Sequence, residues 1–258
     1  MYHVTIIMPA YNEERRIRKT LEIYSRYFET LRLYKEIEYD ILVVINNTHD
    51  HTEDIVQEMQ QKNKRISYLN LVRGGKGYAV IEGCKHAISQ KSDLIGFVDA
   101  DASTPPDAFH DLIKRIGPAG GTIASRYISG AKIEPPPSTA RICVSRLYNV
   151  LIRALFFYPY RDTQCGAKVF RREALERALP HITMSHWAFD LDIIYNIRKA
   201  GFRIREIPTH WSDTKYSHIN FMRAGPWMVL GVIRLRLLTS PCKEFVRIYD
   251  KLVRFIPR

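Results

Sequence analysis

The sequence has few cysteines and no long apolar run. Its four cysteines lie far apart and show no C-x-x-C spacing, which argues against a zinc site or a disulfide framework and favours reduced thiols. No run of about eighteen or more uncharged apolar residues occurs, so a membrane-spanning helix is not predicted. A β-rich segment begins by Val4, so we expect no signal peptide. Together these features favour a cytoplasmic protein.

Acidic residues are also scarce relative to basic ones. The 258 residues include 39 Lys/Arg and 27 Asp/Glu, for a formal net charge of +12. This excess predicts an anionic partner: a nucleic acid, a phosphorylated substrate or an anionic membrane. Residues 216–258 hold eight Lys/Arg and two Asp/Glu, a net charge of +6. Such asymmetry, with no basic and aromatic recognition module, favours a membrane surface over nucleic acid.

An acidic pair follows one apolar segment in the first half of the chain. Residues 94–98, Leu-Ile-Gly-Phe-Val, predict a buried strand, and Asp99 and Asp101 come directly after it. Two carboxylates at the end of a buried strand are costly unless a cation lies beside them. Mg²⁺ or Mn²⁺ carrying a diphosphate suits such oxygen ligands. The alternative is a plain acidic turn after a core strand.

Three other apolar segments precede this strand, and helical patterns separate all four. The alternation predicts βαβ units and an α/β fold with a mainly parallel sheet flanked by helices. Loops at the carboxyl ends of parallel strands bind ligands in such folds. We therefore expect the residues after these four strands to converge: Tyr11, Glu13, Asn46, Lys76, Asp99 and Asp101.

The second half of the chain is less regular. It predicts a strand at 121–126, a loop at 132–139 and a helix at 141–158. Residues 162–170 predict a loop that enters a short strand, and residues 203–207 predict a late strand. From residue 221 onward, apolar residues are broken by arginines. Such a segment fits either a helix in a membrane interface or an ordinary amphipathic helix packed on the domain.

Several possible sites remain open on residue chemistry alone. Residues 74–77, Gly-Gly-Lys-Gly, lack the Ser or Thr of a P-loop, and no G-x-G-x-x-G indicates a dinucleotide site. Arg126 and Arg141 could clamp an anionic group or lie on the surface. Asp190 could cap a helix, or with Asp192 provide a general base.

Four motifs give the chain a recognisable resemblance. They are residues 4–14 (Val-Thr-Ile-Ile-Met-Pro-Ala-Tyr-Asn-Glu-Glu), Gly-Lys-Gly at 75–77, Asp-Ala-Asp at 99–101, and Asp-Thr-Gln-Cys-Gly-Ala-Lys-Val-Phe at 162–170. The first three resemble family 2 glycosyltransferases of the GT-A fold. The last, with Ser-Arg-Tyr at 125–127 and Trp-Ala-Phe-Asp at 187–190, resembles dolichyl-phosphate β-glucosyltransferases among the polyprenyl-phosphate sugar synthases.

The resemblance implies a role for each residue of a nucleotide-sugar site. Asp99 and Asp101 would carry Mg²⁺ or Mn²⁺ on the diphosphate, and Ser103 stands where mannose-transferring relatives place a further ligand. Lys215 would close over the diphosphate from the C-terminal side. The nucleoside and phosphates would be held by Pro9, Tyr11, Glu13, Asn46 and Lys76.

On the acceptor side, the resemblance implies inverting transfer of a sugar to a lipid phosphate. Arg126, Arg141 and Ser145 would bind that phosphate. A phosphate monoester is already anionic at neutral pH, so the reaction needs charge screening more than a strong base. The expected division is a nucleotide-sugar half at 1–120, an acceptor half at 121–215 and a basic amphipathic tail at 216–258.

The expected activity is therefore transfer of glucose from UDP-glucose to dolichyl or polyprenyl phosphate at the cytoplasmic face of a membrane. One alternative is a GDP-mannose donor, and another is a glycan or glycolipid hydroxyl acceptor with Asp190 or Asp192 as base. A nucleotidyltransferase is disfavoured because no glycine-rich basic loop follows the first strand. The chain departs from the resemblance at Asn46-Asn47, where an acidic pair is usual.

Overall fold

A seven-stranded sheet forms the centre of the computed structural model, which describes residues 1–136, 138–184, 188–212 and 221–253. Its strand order is β3-β2-β1-β4-β7-β5-β8, and β6 pairs separately with β9. The strands are β1 (Tyr2–Ala10), β2 (Ile37–Asn46), β3 (Ile66–Leu71), β4 (Leu94–Phe97), β5 (Gly121–Ser125), β6 (Lys132–Ile133), β7 (Lys168–Arg171), β8 (Ile204–Pro208) and β9 (His210–Trp211). The α-helices of the described residues are α1 (Ile17–Leu33), α2 (Thr52–Lys62), α3 (Lys76–Ser89), α4 (Pro106–Lys114), α5 (Thr139–Phe156), α6 (Arg172–Ala178), α7 (Phe189–Lys199), α8 (Phe221–Leu238) and α9 (Val246–Val253).

The first four strands are parallel, which confirms the predicted α/β class. Strand β1 pairs in parallel with β2 and β4, and β2 pairs in parallel with β3. Strand β7 is antiparallel to both β4 and β5, and β5 is parallel to β8. Because β7 runs the other way, the loop before it joins the same sheet edge as the loop after β4. Strands from both halves of the chain thus share one sheet, and the functional division at residue 120 stays a prediction.

Helices cover both faces of the sheet because successive strand residues point to opposite sides. Ile41, Val43 and Ile45 of β2 pack in the core shared with α1, α2 and α4. Leu42 and Val44 pack in the second core with α3, α6 and α7. The central strands are buried on both faces, which explains why their sequences are continuous apolar runs rather than alternating ones.

Two predictions of local structure were incomplete. Strand β4 ends at Phe97, before the acidic pair, and Pro106 begins the unpredicted helix α4, a position where the missing proline N–H costs nothing. The expected loop at 132–139 contains β6, which pairs with β9. Helix α4 is only 9 residues long, and β6 depends on a partner about 80 residues away along the chain.

Three helices form a layer beside the second core. Helix α8 buries Val232 and Leu235, and α5 buries Ile152. A bidentate salt bridge joins α9 to α8, in which Arg234 donates to the two carboxylate oxygens of Asp250 at 2.8 and 3.1 Å. Among the described residues, none of the helices has the length and apolar character needed to cross a bilayer.

Candidate active site

The carboxyl ends of the parallel strands open into a cavity of about 750 Å³. Its charged and polar wall comes from the loops after β3, β4 and β5 and from the start of α7, and includes Lys76, Asp99, Asp101, Ser103, Arg126 and Asp190. Its apolar wall comes from α5 and α8 and includes Ile142, Val144, Leu147, Leu151, Met228 and Val229. Of the residues expected to converge, Lys76, Asp99 and Asp101 line this cavity, whereas Tyr11, Glu13 and Asn46 do not, and an apolar surface adjoins the charged wall.

Asp99 lies between a lysine and a glycine. Its carboxylate contacts the Lys76 ammonium, which is delivered by the first residue of α3. Burial would raise the pKa of Asp99, but the charges of Lys76, Lys168 and Arg126 outweigh it and leave the pKa below its ordinary value. Gly166 lies directly against this carboxylate, and a Cβ there would collide with it.

Asp101 is oriented by its own loop. Its Oδ1 accepts a hydrogen bond from the Ser103 backbone N–H at 2.9 Å, and its Oδ2 lies 3.9 Å from Arg16 Nη1. The described residues contain no group of three or more His, Cys, Asp or Glu side chains arranged to hold a metal. Two carboxylates and a nearby hydroxyl nevertheless suit a hard cation whose other ligands come from a diphosphate and water.

Glu13 is paired within the protein. Arg16 donates to its two carboxylate oxygens at 2.7 and 2.6 Å. Burial raises the pKa of Glu13 to about 7, although the Arg16 hydrogen bond opposes the shift. Pro9 is buried in β1, whereas Tyr11 is half-exposed just after it. Of these three residues, only Tyr11 presents a largely accessible side chain at the sheet edge.

Asn46 fastens three loops together. Its side-chain Nδ2 donates to the Ala10 carbonyl at 3.0 Å, and its Oδ1 accepts from the Gly75 N–H at 3.1 Å. The side chain is buried and joins the ends of β1 and β2 to the turn before Lys76. A carboxylate could not donate to Ala10, so this arrangement depends on an amide at position 46.

Arg126 is held in a fixed orientation. It donates to both carboxylate oxygens of fully buried Asp162, through Nε at 2.7 Å and Nη2 at 3.0 Å. Its guanidinium also lies 5.4 Å from the ring centroids of Tyr127 and Trp211. Burial would lower the pKa of Arg126, but Asp162 outweighs that effect and raises it. The result is a rigid cation on the cavity wall.

Ser145 lines the cavity from α5. Its hydroxyl accepts a hydrogen bond from Tyr127 Oη at 2.8 Å, which links it to the strand end that carries Arg126. Arg141 belongs to the same helix four residues earlier, but its side chain lies outside the described residues, as does all of Lys215. The structure therefore brings Ser145 beside the charged wall and leaves the roles of Arg141 and Lys215 as predictions.

Asp190 and Asp192 have different surroundings, although both lie in the first turn of α7. Asp190 lines the cavity, and its Oδ1 accepts a 2.5 Å hydrogen bond from fully buried Lys168. Asp192 does not line the cavity. Its oxygens accept from the Thr183 N–H, the Met184 N–H and Asn196 Nδ2 at 2.6–2.8 Å.

These contacts settle what each aspartate does locally. Asp192 secures the segment before the helix, so the alternative of a general base at this helix retains only Asp190. Asp190 is not the N-cap residue of α7, which is Ala188, and its Oδ1 accepts from Lys168 instead. The pairing of Lys168 with Asp190 was not predicted from the sequence. A lysine opening an otherwise apolar strand segment was the available signal.

The family model described as "Glycosyl transferase family 2" matches residues 5–179. The chain belongs to glycosyl transferase family 2. This family 2 protein is similar to a dolichyl-phosphate beta-glucosyltransferase of Trichomonas vaginalis, with 30% identity over 251 residues. The match covers 88% of this chain and 74% of the relative. The membership confirms the family expected from the motifs.

Two solved structures are similar in fold. One is glucosyl-3-phosphoglycerate synthase of Mycobacterium tuberculosis in complex with Mn²⁺, UDP and phosphoglyceric acid, with a TM-score of 0.66, 16% identity, and 92% of this chain and 78% of that chain covered. The other is a mannosyltransferase of Pyrobaculum calidifontis in complex with GDP-Man and Mn²⁺, with a TM-score of 0.63, 16% identity, and coverages of 96% and 68%. These likenesses confirm the expected GT-A-type fold.

Proposed function

We propose that this family 2 glycosyltransferase moves glucose from UDP-glucose to dolichyl or another polyprenyl phosphate. A phosphate oxygen of the acceptor attacks the anomeric carbon, the bond to the donor's β-phosphate oxygen breaks, and UDP leaves as the configuration inverts. The observation that carries the proposal is that one cavity has a charged wall and, beside it, an apolar wall. A prenyl phosphate has the matching chemistry, with an anionic head and an apolar chain. The name of the Trichomonas relative supports the same donor sugar and acceptor.

The donor side is assigned to the strand-end loops. Pro9, Tyr11 and Glu13 would hold the nucleoside, and Lys76 would pair with the diphosphate. Asn46 would act by fixing the turn that carries Lys76 rather than by offering its buried amide to the base. Lys215, from outside the described residues, would complete the phosphate contacts. The assignment places each cationic group near the charge that leaves with the nucleotide.

A divalent cation is part of this assignment. Asp99 and Asp101 would hold Mg²⁺ or Mn²⁺, with Ser103 as a further oxygen ligand, and the ion would neutralise charge on the leaving diphosphate. Mn²⁺ is present in the two similar solved structures, together with UDP in one and GDP-Man in the other. The present site offers two carboxylates in one short loop, which suits an ion shared with the substrate.

The acceptor phosphate is assigned to Arg126, Arg141 and Ser145. Arg126 is fixed by Asp162, and Ser145 is fixed by Tyr127, so two of the three groups are oriented before the substrate arrives. The attacking phosphate oxygen carries its own negative charge and needs no general base. The apolar residues of α5 and α8 that follow along the cavity would receive the first prenyl units.

We also propose that the protein lies on the cytoplasmic face of a membrane, bound through the layer formed by α5, α8 and α9 (the C-terminal layer). Helix α5 exposes Leu147 and Val150 by 71% and 54%, and α9 exposes Ile248 and Leu252 by 56% and 64%. Exposed apolar side chains at this spacing form a stripe along each helix. The basic excess of residues 216–258 would attract anionic headgroups to the same layer.

Two alternatives to this activity each rest on one observation. A GDP-mannose donor is favoured only by the similar mannosyltransferase structure. A hydroxyl acceptor would need a general base, and Asp190 is the carboxylate at the start of α7 that faces the cavity. Its pairing with buried Lys168 disfavours that use, because taking up a proton would leave the ammonium without its anionic partner.

A donor-by-acceptor assay tests the proposal. UDP-glucose and GDP-mannose are each incubated with a short polyprenyl phosphate, the corresponding polyprenol, or no lipid, with Mg²⁺ or Mn²⁺. We expect an acid-labile glucosyl lipid from UDP-glucose and the phosphate alone. Asp101→Ala should abolish it, and Asp111→Ala, which removes a partly exposed carboxylate on α4, should not. Product from the polyprenol instead would contradict the proposal and favour the hydroxyl alternative.

Liposome flotation tests the membrane proposal separately. Ile248→Glu with Leu252→Glu should reduce binding to vesicles containing anionic phospholipid, because two carboxylates replace the apolar stripe on α9. Leu33→Glu provides the control, since Leu33 is 68% exposed at the end of α1, outside the C-terminal layer. Equal binding of the double variant and the wild type would contradict a membrane contact through α9.

A further inference from the structure

A fully buried lysine stands behind the wall of the cavity. Lys168 opens β7, has no exposed surface, and donates to Asp190 Oδ1 at 2.5 Å and to the Cys165 carbonyl at 2.6 Å. Its ammonium also lies 5.3 Å from the Phe97 ring centroid. An ammonium so far from water needs an anionic partner, and Asp190 supplies it.

The pair has an inner and an outer member. Asp190 lines the cavity, whereas Lys168 does not. Asp190 therefore belongs to the wall that also carries Lys76 and Asp99, while its Oδ1 is held by Lys168. Lys76, the group assigned to the diphosphate, lines the same cavity as Asp190.

The chemistry of Asp190 narrows what it can bind. A phosphate would be repelled by the carboxylate, and a prenyl chain offers it no hydrogen bond. A carboxylate accepts hydrogen bonds well from neutral hydroxyls. In a nucleotide sugar, the group next to the diphosphate is the hexose, which carries several hydroxyls.

We propose that Asp190 binds hydroxyls of the donor's hexosyl group and that Lys168 is its positioning residue. This inference rests on the proposed use of a nucleotide-sugar donor but not on the identity of the acceptor. It assigns Asp190 to recognition of the sugar rather than to proton transfer. Lys168 acts only through Asp190, by fixing one carboxylate oxygen and compensating its charge.

Comparing a nucleotide sugar with its nucleoside diphosphate isolates the hexosyl contact. Calorimetric titrations with Mn²⁺ would measure dissociation constants for UDP and UDP-glucose, and for GDP and GDP-mannose, on the full chain. Asp190→Asn keeps the side-chain shape, and the double variant with Lys168→Met removes both buried charges at once. Asp111→Asn with Lys114→Met is the matched control, because it removes an exposed ion pair on α4.

We expect Asp190→Asn to weaken binding of the nucleotide sugar by about tenfold, the size of one hydrogen bond to a charged group, with the nucleoside diphosphate changed less than about twofold. The double variant should lose no more than Asp190→Asn, because the two residues act through one contact. A merely structural role would weaken both ligands equally or neither.

Three results would refute the inference. They are equal weakening of sugar-bearing and sugar-free nucleotides, unchanged nucleotide-sugar binding in Asp190→Asn, and no wild-type binding of either donor. If Asp190→Asn binds the nucleotide sugar normally but no longer transfers sugar to a hydroxyl acceptor, that is the second result, and it would make Asp190 a general base. A selective loss of sugar binding without any lipid-phosphate product would uphold the inference and reject the proposed acceptor.

Discussion

Gly166→Ala should disable the active site while leaving the fold intact. Gly166 has no positive φ, so alanine adds no backbone strain there. The added Cβ would lie 2.6 Å from the carboxyl carbon of Asp99, where ordinary contacts of a Cβ begin at 3.4 Å. The Asp99 carboxylate must therefore move by about 1 Å, which disturbs its contact with Lys76.

The structure gives different magnitudes for stability and activity. The Lys76–Asp99 pair is partly exposed, with side-chain accessibilities of 44% and 35%, so its loss should cost about 1 kcal/mol or less. Displacing a reacting or metal-binding group by about 1 Å typically costs about 100-fold in rate. We therefore expect kcat/KM for sugar transfer to fall about 100-fold while the urea midpoint changes little.

The assay combines steady-state transfer to a polyprenyl phosphate with calorimetric titration of Mn²⁺ and UDP. Gly231→Ala is the control, because its Cβ would approach Ala188 at an ordinary 3.4 Å within helix α8. That variant should keep activity and gain up to about 1 kcal/mol from helix propensity. Wild-type transfer and wild-type Mn²⁺ binding in Gly166→Ala would refute the argument that Asp99 must stay where it is.

Three further predictions concern single residues. Arg126→Met should lower the free energy of unfolding by about 3 kcal/mol in urea titrations, because it leaves buried Asp162 unpaired; a loss below about 1 kcal/mol would contradict this. Asn46→Asp should cost about 1–3 kcal/mol, since a carboxylate cannot donate to the Ala10 carbonyl, and unchanged stability would show that this hydrogen bond is dispensable. Glu13 has a pKa of about 7 in the folded protein against 4.5 in the unfolded chain, so its contribution to stability falls as pH rises between these values. As pH rises from 4.5 to 7, the wild type should therefore lose about 1–3 kcal/mol of unfolding free energy relative to Glu13→Gln. Parallel pH dependences of the two proteins would exclude the raised pKa of Glu13.

The sequence predicted the first half of the fold well. Strands β1, β2 and β4 contain continuous apolar runs, β3 is mixed and lies at the sheet edge, and the turn residues between them mark each boundary within a few positions. Such runs predict buried parallel strands because both faces of the sheet are covered. The same local reasoning failed at β6 and at the reversed direction of β7, since strand direction depends on which partner pairs, not on composition.

The candidate site was predicted in part for a similar reason. The residues after β1, β2, β3 and β4 could be placed at one edge, because parallel strands end there. Pairings within the edge could not be predicted. Asn46 proved to fasten loops, and Glu13 proved to be held by Arg16. These contacts join residues that are close only after the loops have packed.

What the sequence determined by itself is the α/β class, the acidic pair at a strand end and the basic balance that calls for an anionic substrate. Only the tertiary structure decided which charge compensates which: Lys168 with Asp190, Asp162 with Arg126 and Lys76 with Asp99. Composition sets how many charges a chain carries, and local periodicity sets which strands are buried. Pairing of buried charges depends on distances of a few ångströms between segments far apart in sequence, and folding alone sets those distances.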